Sequence, residues 1–191
     1  MTAAMYVYLD YAGSNGSPST ADITSANLRM RTDDANTQDA TNPIPIVTGQ
    51  TKYSYCRAIC LKCITTPPTT KVDNVKFYGP GTSWGTGITL NYRTAVVART
   101  GASTTNYKLA TGTPGDTGTI MTDAGLYAGS LADSVALVVG APLTVAITET
   151  SSQIDAATET TNWVILQMAV IDTATPGTLG TKTYTWQYDE I

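Results

Sequence analysis

Histidine is absent from this chain of 191 residues. That absence removes Ser-His-Asp and Cys-His activation of a nucleophile, His-ligated zinc and the commonest general base. Charge is also scarce. Asp, Glu, Lys and Arg make up 14% of the chain, against about 25% in ordinary soluble domains. The 11 Lys and Arg are scattered, and the net charge is −4. A nucleic-acid surface needs a basic footprint, and a polybasic membrane patch needs a cluster, so neither is expected. The longest apolar run is residues 163–171, far short of the about 20 needed to cross a bilayer. The opening Met-Thr-Ala-Ala-Met-Tyr-Val-Tyr-Leu-Asp has no positive segment ahead of its short apolar run, so it does not read as a secretory signal. The Glu- and Lys-rich surface of a helical protein is missing too.

What remains is the vocabulary of strands and turns. There are 11 Tyr and 3 Trp but one Phe, together with 16 Gly and 9 Pro and abundant Thr. Thr and Tyr suit a pleated, half-buried surface, and Gly and Pro suit frequent turns. Residues 163–171, Trp-Val-Ile-Leu-Gln-Met-Ala-Val-Ile, are rich in β-branched side chains and predict a central strand buried on both faces. Residues 183–188, Thr-Tyr-Thr-Trp-Gln-Tyr, alternate with period two. Joined through Pro176-Gly177, the two segments predict a hairpin, with Tyr184, Trp186 and Tyr188 packing beneath Trp163. Residues 53–64 alternate as a second long strand. Further strands are expected at residues 5–9, 23–32, 72–78, 88–92 with an extension to 98, 135–139 and 143–148. Residues 120–129 read as a short helix or an irregular insert. Pro43 and Pro45 restrict their segment to an extended edge. About nine strands with turns between them predict one antiparallel β-sandwich domain over residues 1–191, jelly-roll or immunoglobulin-like.

Few constellations could carry chemistry. Cys56, Cys60 and Cys63 have the C-x3-C-x2-C spacing of a radical-SAM iron–sulfur site. On a strand, Cys56 and Cys60 would lie about 13 Å apart and Cys63 would face the other way, so three buried thiols are expected instead. Carboxylate-only hydrolysis would draw on Asp10, Asp33, Asp34, Asp73, Asp172 and Glu190, but no spacing pairs them. The run Asp33-Asp34-Ala35-Asn36-Thr37-Gln38-Asp39 is oxygen-rich without the order of an EF-hand loop. Turn-forming Asp and Asn account for it. Gly85-Thr86-Gly87 and the Gly112–Gly118 stretch match no phosphate loop. Trp84, Trp186 and the tyrosines could stack on sugars. The expectation is therefore no catalytic residue, no cofactor-binding residue, no metal ligand and no enzyme.

Asn42-Pro43-Ile44-Pro45-Ile46, Tyr53-Ser54-Tyr55, Val72-Asp73-Asn74-Val75-Lys76-Phe77-Tyr78, Gly85-Thr86-Gly87 and Thr185-Trp186-Gln187-Tyr188-Asp189-Glu190 together resemble the β-sandwich structural proteins of tailed bacteriophages. The resemblance implies a virion component, either a capsid decoration protein or a tail component. Its partners would be the major capsid protein or tail proteins, and it would be made in the host cytoplasm. Low charge and Thr/Tyr-rich faces suit contact between subunits, so homo-oligomers are expected, trimers first. A carbohydrate-binding module or adhesin, with a bound glycan, is the alternative.

Overall fold

The structure, a computed structural model, describes residues 3–14, 17–33, 35–36, 42–65, 71–95, 127–147, 149 and 151–191. The strands are β1 (Ala4–Ser14), β2 (Ser17–Asp22), β3 (Lys52–Tyr53), β4 (Arg57–Thr65), β5 (Val72–Tyr78), β6 (Ile88–Ala95), β7 (Tyr127–Asp133), β8 (Leu143–Thr144), β9 (Val164–Val170) and β10 (Thr185–Glu190). They form two antiparallel sheets. The larger runs β2-β1-β4-β9-β6-β7, with β3 also on β9, and the smaller runs β10-β5-β8. The molecule is an all-β sandwich.

Every residue of β9 is buried, because β9 lies at the centre of the large sheet with both faces covered. Val164, Leu166, Met168 and Val170 point into the inter-sheet core. Ile165 and Trp163 join Cys56, Ala58 and Cys60 in a second cluster. Gln167, the one polar residue in the run, donates from Nε2 to the Ser54 carbonyl at 2.9 Å, so its burial strands no donor there. From the small sheet, Val72, Val75 and Phe77 enter the same core as Leu9, Leu61 and Leu90 of the large one. Tyr184 stacks on Phe77 at 5.5 Å and Trp186 tilts against it at 4.9 Å.

The expected hairpin of residues 163–188 does not form. β9 has β6 along one side and β4 with β3 along the other, so it offers no edge to β10. β10 pairs with β5 in the other sheet, and residues 171–184 carry the chain across. Its aromatics meet Phe77 in the inter-sheet core, whereas Trp163 belongs to the cluster on the opposite face. The far end of β10 is tied down, as Ile191 and Lys71 exchange backbone bonds of 2.9 and 2.7 Å.

Other expectations shift locally. Residues 53–64 are not one strand. A bulge at residues 54–56 separates β3 from β4, and the Ser54 hydroxyl takes the place of a main-chain acceptor for Met168 N–H at 2.9 Å. Residues 23–32 form no ladder, although Leu28 and Met30 do pack on the core. Residues 135–139 are not a strand. Asp133 caps a 3-10 turn, Ser134–Ala136, by accepting from Val135 N–H at 3.0 Å, and a tight turn closes with Ala141 N–H to Val138 O at 2.9 Å. Of the described residues 143–147, Leu143–Thr144 pairs with β5 and Ile147 makes a single bridge to Thr161. In the stretch expected as helix or insert, residues 127–129 belong to β7, and residues 120–126 lie outside the described residues, as do 96–98.

Candidate functional site

The small sheet covers only part of the large one. Where it stops, the inner face of β6 and β9 forms the floor of a groove of about 1080 Å³. Ile88, Leu90, Leu166, Met168 and Val170 make that floor, alternating inward from two neighbouring strands, and all but Ile88 are at most 6% exposed, so they belong to the core beneath the groove. The walls are three irregular segments: residues 27–31, residues 42–46 and the crossing at residues 174–184, with Trp84 beside them. The Pro43/Pro45 segment is therefore a wall of this groove and forms no edge strand.

The first wall is held by arginines. Arg57 is fully buried. Its Nε donates to the Arg29 carbonyl at 2.9 Å, and Nη2 donates to the carbonyls of Asp33 at 3.0 Å and Ala35 at 2.6 Å. A planar fork with five donors suits three carbonyls converging from one loop. Arg31 grips Asp33 with two bonds, Nε to Oδ1 at 2.6 Å and Nη2 to Oδ2 at 2.7 Å. Asn42 Nδ2 adds a bond to Asp33 Oδ2 at 2.8 Å, which joins the first wall to the second. The Arg31 guanidinium holds the Asp33 carboxyl below its usual range, against the opposing effect of burial.

The third wall is fastened to the loop before β6. Lys182 Nζ donates to Thr82 O at 3.0 Å and to Thr82 Oγ1 at 2.6 Å, and lies 5.3 Å from the Trp84 ring centroid. Tyr184 and Ser134 share a hydroxyl bond of 2.7 Å. Gly87 allows the loop to approach the crossing closely. Its φ is +71°, and a Cβ there would lie 2.6 Å from Ala174 N.

The groove uses none of the carboxylates singled out in the sequence. Asp33 is consumed by Arg31, Asn42 and Ala35 N–H, so its oxygens serve the loop. Asp34 and Asp39 lie outside the described residues, as does the Gly112–Gly118 stretch. Asp10 is in β1 opposite Ala58. Asp73 is in β5 opposite Asp189. Asp172 accepts from Gly49 N–H at 2.9 Å and Glu190 from Ala3 N–H at 3.1 Å. Among the described residues no group of three or more Cys, Asp or Glu gathers as a metal site. The cysteines divide between faces: Cys56 and Cys60 lie in one cluster and Cys63 in the other, as alternation along a strand requires. Cys63 donates to the Thr65 carbonyl at 3.1 Å, and burial pushes its thiol pKa up. Of the proposed sugar platforms, Trp186 is spent on Phe77, and Trp84 lines the groove.

No family model, curated protein or solved structure matches this chain.

Proposed function

We propose that this protein is a non-enzymatic structural component of a virion, a capsid decoration protein or otherwise a tail component of a tailed phage. The observation that carries the reading is the state of the sheet edges. β2 and β7 end the main path of the large sheet, apart from the two-residue β3, which carries Lys52 and pairs with β9 alone, and β10 and β8 border the small one. None of β2, β7, β8 and β10 contains a Lys or Arg. Edge lysines are a usual guard against strand addition, and strands without them suit lateral contact with other subunits. Asp33, Asp133, Glu159, Asp172 and Glu190 fasten loops and chain segments, and the three thiols are buried, which supports the non-enzymatic part of the reading.

Sedimentation velocity at micromolar concentration, alone and with purified phage capsids or tails, tests the proposal. Self-association or co-sedimentation is expected. A monomer that binds neither capsids nor tails, yet retains one glycan on an array, would replace this reading with the carbohydrate-binding module.

A further inference from the structure

We propose that β10 is the edge at which two copies of this chain pair, antiparallel and about a twofold axis at Tyr188. The inference rests on the reading that sheet edges carry assembly, and it selects one edge and one partner. β3 and β8 have two residues each. β2 contains Pro18, which lacks a ladder donor. β7 is bulged, since it goes four residues, from Ala132 to Ala128, while β6 advances two. Bulges and prolines guard an edge, and β10 has neither. The irregularity in its ladder sits on β5, which goes three residues, from Lys76 to Asp73, while β10 advances two. Asn74 absorbs it with a φ of +48°. Ile191 exchanges both main-chain bonds with Lys71. Alternation then turns the main-chain groups of Thr185, Gln187 and Asp189 toward β5 and those of Trp186, Tyr188 and Glu190 outward. Among the described residues, nothing bonds to these three outward positions.

The side chains on the solvent face select a second copy. Asp189 lies opposite Asp73 of β5, and Gln187 lies opposite Lys76. Like charges directly opposite are unfavourable, and neither aspartate makes an ion pair among the described residues. Asn74 Nδ2 holds Asp189 Oδ2 at 2.7 Å, which leaves Oδ1. A twofold at Tyr188 sets Trp186 against Glu190 of the second copy, as a main-chain-bonded pair, and Gln187 against Asp189 of the second copy. Each row on the solvent face then runs Lys76 and Gln187 from one copy, Asp189 and Asp73 from the other. The Gln187 amide donates to the remaining carboxylate oxygen. Lys76 stands two strand spacings, about 10 Å, from the same aspartate. The acidic pair of each copy thus meets the basic end of the other. The pairing joins the two three-stranded sheets into one. It closes at two copies, so the unit is a dimer and not a trimer.

Sedimentation velocity of the full chain at micromolar concentration and low salt tests the pairing, and a dimer is expected. Gln187, exposed on β10, is the position to change. Gln187→Asp keeps Lys76 opposite within its own chain but sets two carboxylates against each other at both ends of the dimer. It should weaken the dimer by about tenfold and leave the fold intact. Gln187→Lys sets an ammonium against Asp189 of the second copy and should tighten the dimer. Urea unfolding at high dilution checks that both variants fold. A trimer, or any assembly indifferent to both substitutions, would overturn the proposal and move assembly to another edge. A monomer that still binds capsids or tails would overturn it too, and leave the virion reading standing. A monomer that binds neither would end both.

Discussion

Arg57 and Asp33 show how an unremarkable loop becomes a fixed wall. Arg57 brings a charge into the interior and donates to the carbonyls of Arg29, Asp33 and Ala35. Arg57→Met should lower stability by about 1–3 kcal/mol, because three carbonyls lose a charged donor. Urea unfolding would measure it, and a change under about 0.5 kcal/mol, as at an ordinary surface site, would show that the carbonyls find water. Asp33 makes a pH-dependent contribution. Its carboxyl is held below the ordinary 3.8 by Arg31, so folding favours the ionised form. The contribution is complete above 3.8 and is lost as pH falls through the lowered folded value. Asp33→Asn should unfold at lower urea than the native chain near neutral pH, and the gap should close on acidification below 3.8. A gap that persists at low pH would mean that the carboxylate charge is not the source. Neither role was legible in the sequence. The spacing of Asp33 and Arg31 was visible, but the target of Arg57, a backbone 22 to 28 residues away, carries no side-chain signature.

Strand by strand, the sequence said most where burial is periodic. β9, β5 and β6 were legible, because their apolar patterns are set by the faces they cover. Partnership was less legible. β10 alternates correctly, yet its pattern could not distinguish a neighbour in the same sheet from one across the core. The groove was least legible, since its floor comes from two strands and its walls from three distant segments. The β9 assignment predicts that Ile165→Ala and Leu166→Ala each cost about 2–5 kcal/mol, both side chains being at most 2% exposed. Gln187→Ala, at an exposed position of β10, should stay within about 0.5 kcal/mol. Equal effects at the three sites would remove β9 from the centre. A second element-scale test concerns the inter-sheet contact of β4 and β10. Burial raises the Cys63 thiol above its ordinary 9.0 and the Tyr188 phenol above its ordinary 10.0. Their neutral forms favour the fold, so their contribution is intact below those values and is lost as pH rises through the raised ones. Urea midpoints from about pH 8 to 11 should fall, most steeply at the alkaline end, and Cys63→Ala should soften the decline. A flat profile would contradict the burial of both groups.

At the scale of the whole sheet, the pairing of β4 and β9 is held between two irregularities of opposite sense. From Tyr53 to Arg57 the chain advances four residues while its partner goes three, from Ala169 to Leu166. From Ile59 to Lys62 it advances three while the partner goes four, from Val164 to Thr160. Each strand carries one surplus residue. Side-chain hydroxyls close both gaps: Ser54 accepts from Met168 N–H, and Thr161 accepts from Leu61 N–H at 3.0 Å. Within the regular stretch between them, losing one residue would turn every following side chain to the wrong face. At residues 54–56 and 162–163 it would merely straighten a kink. Removing Tyr55 or Asn162 should therefore disturb the unfolding midpoint less than removing Cys60 or Met168, and equal damage at all four positions would show that the surplus residues are indispensable. At these two seams the β4–β9 pairing can change length by one and keep its faces.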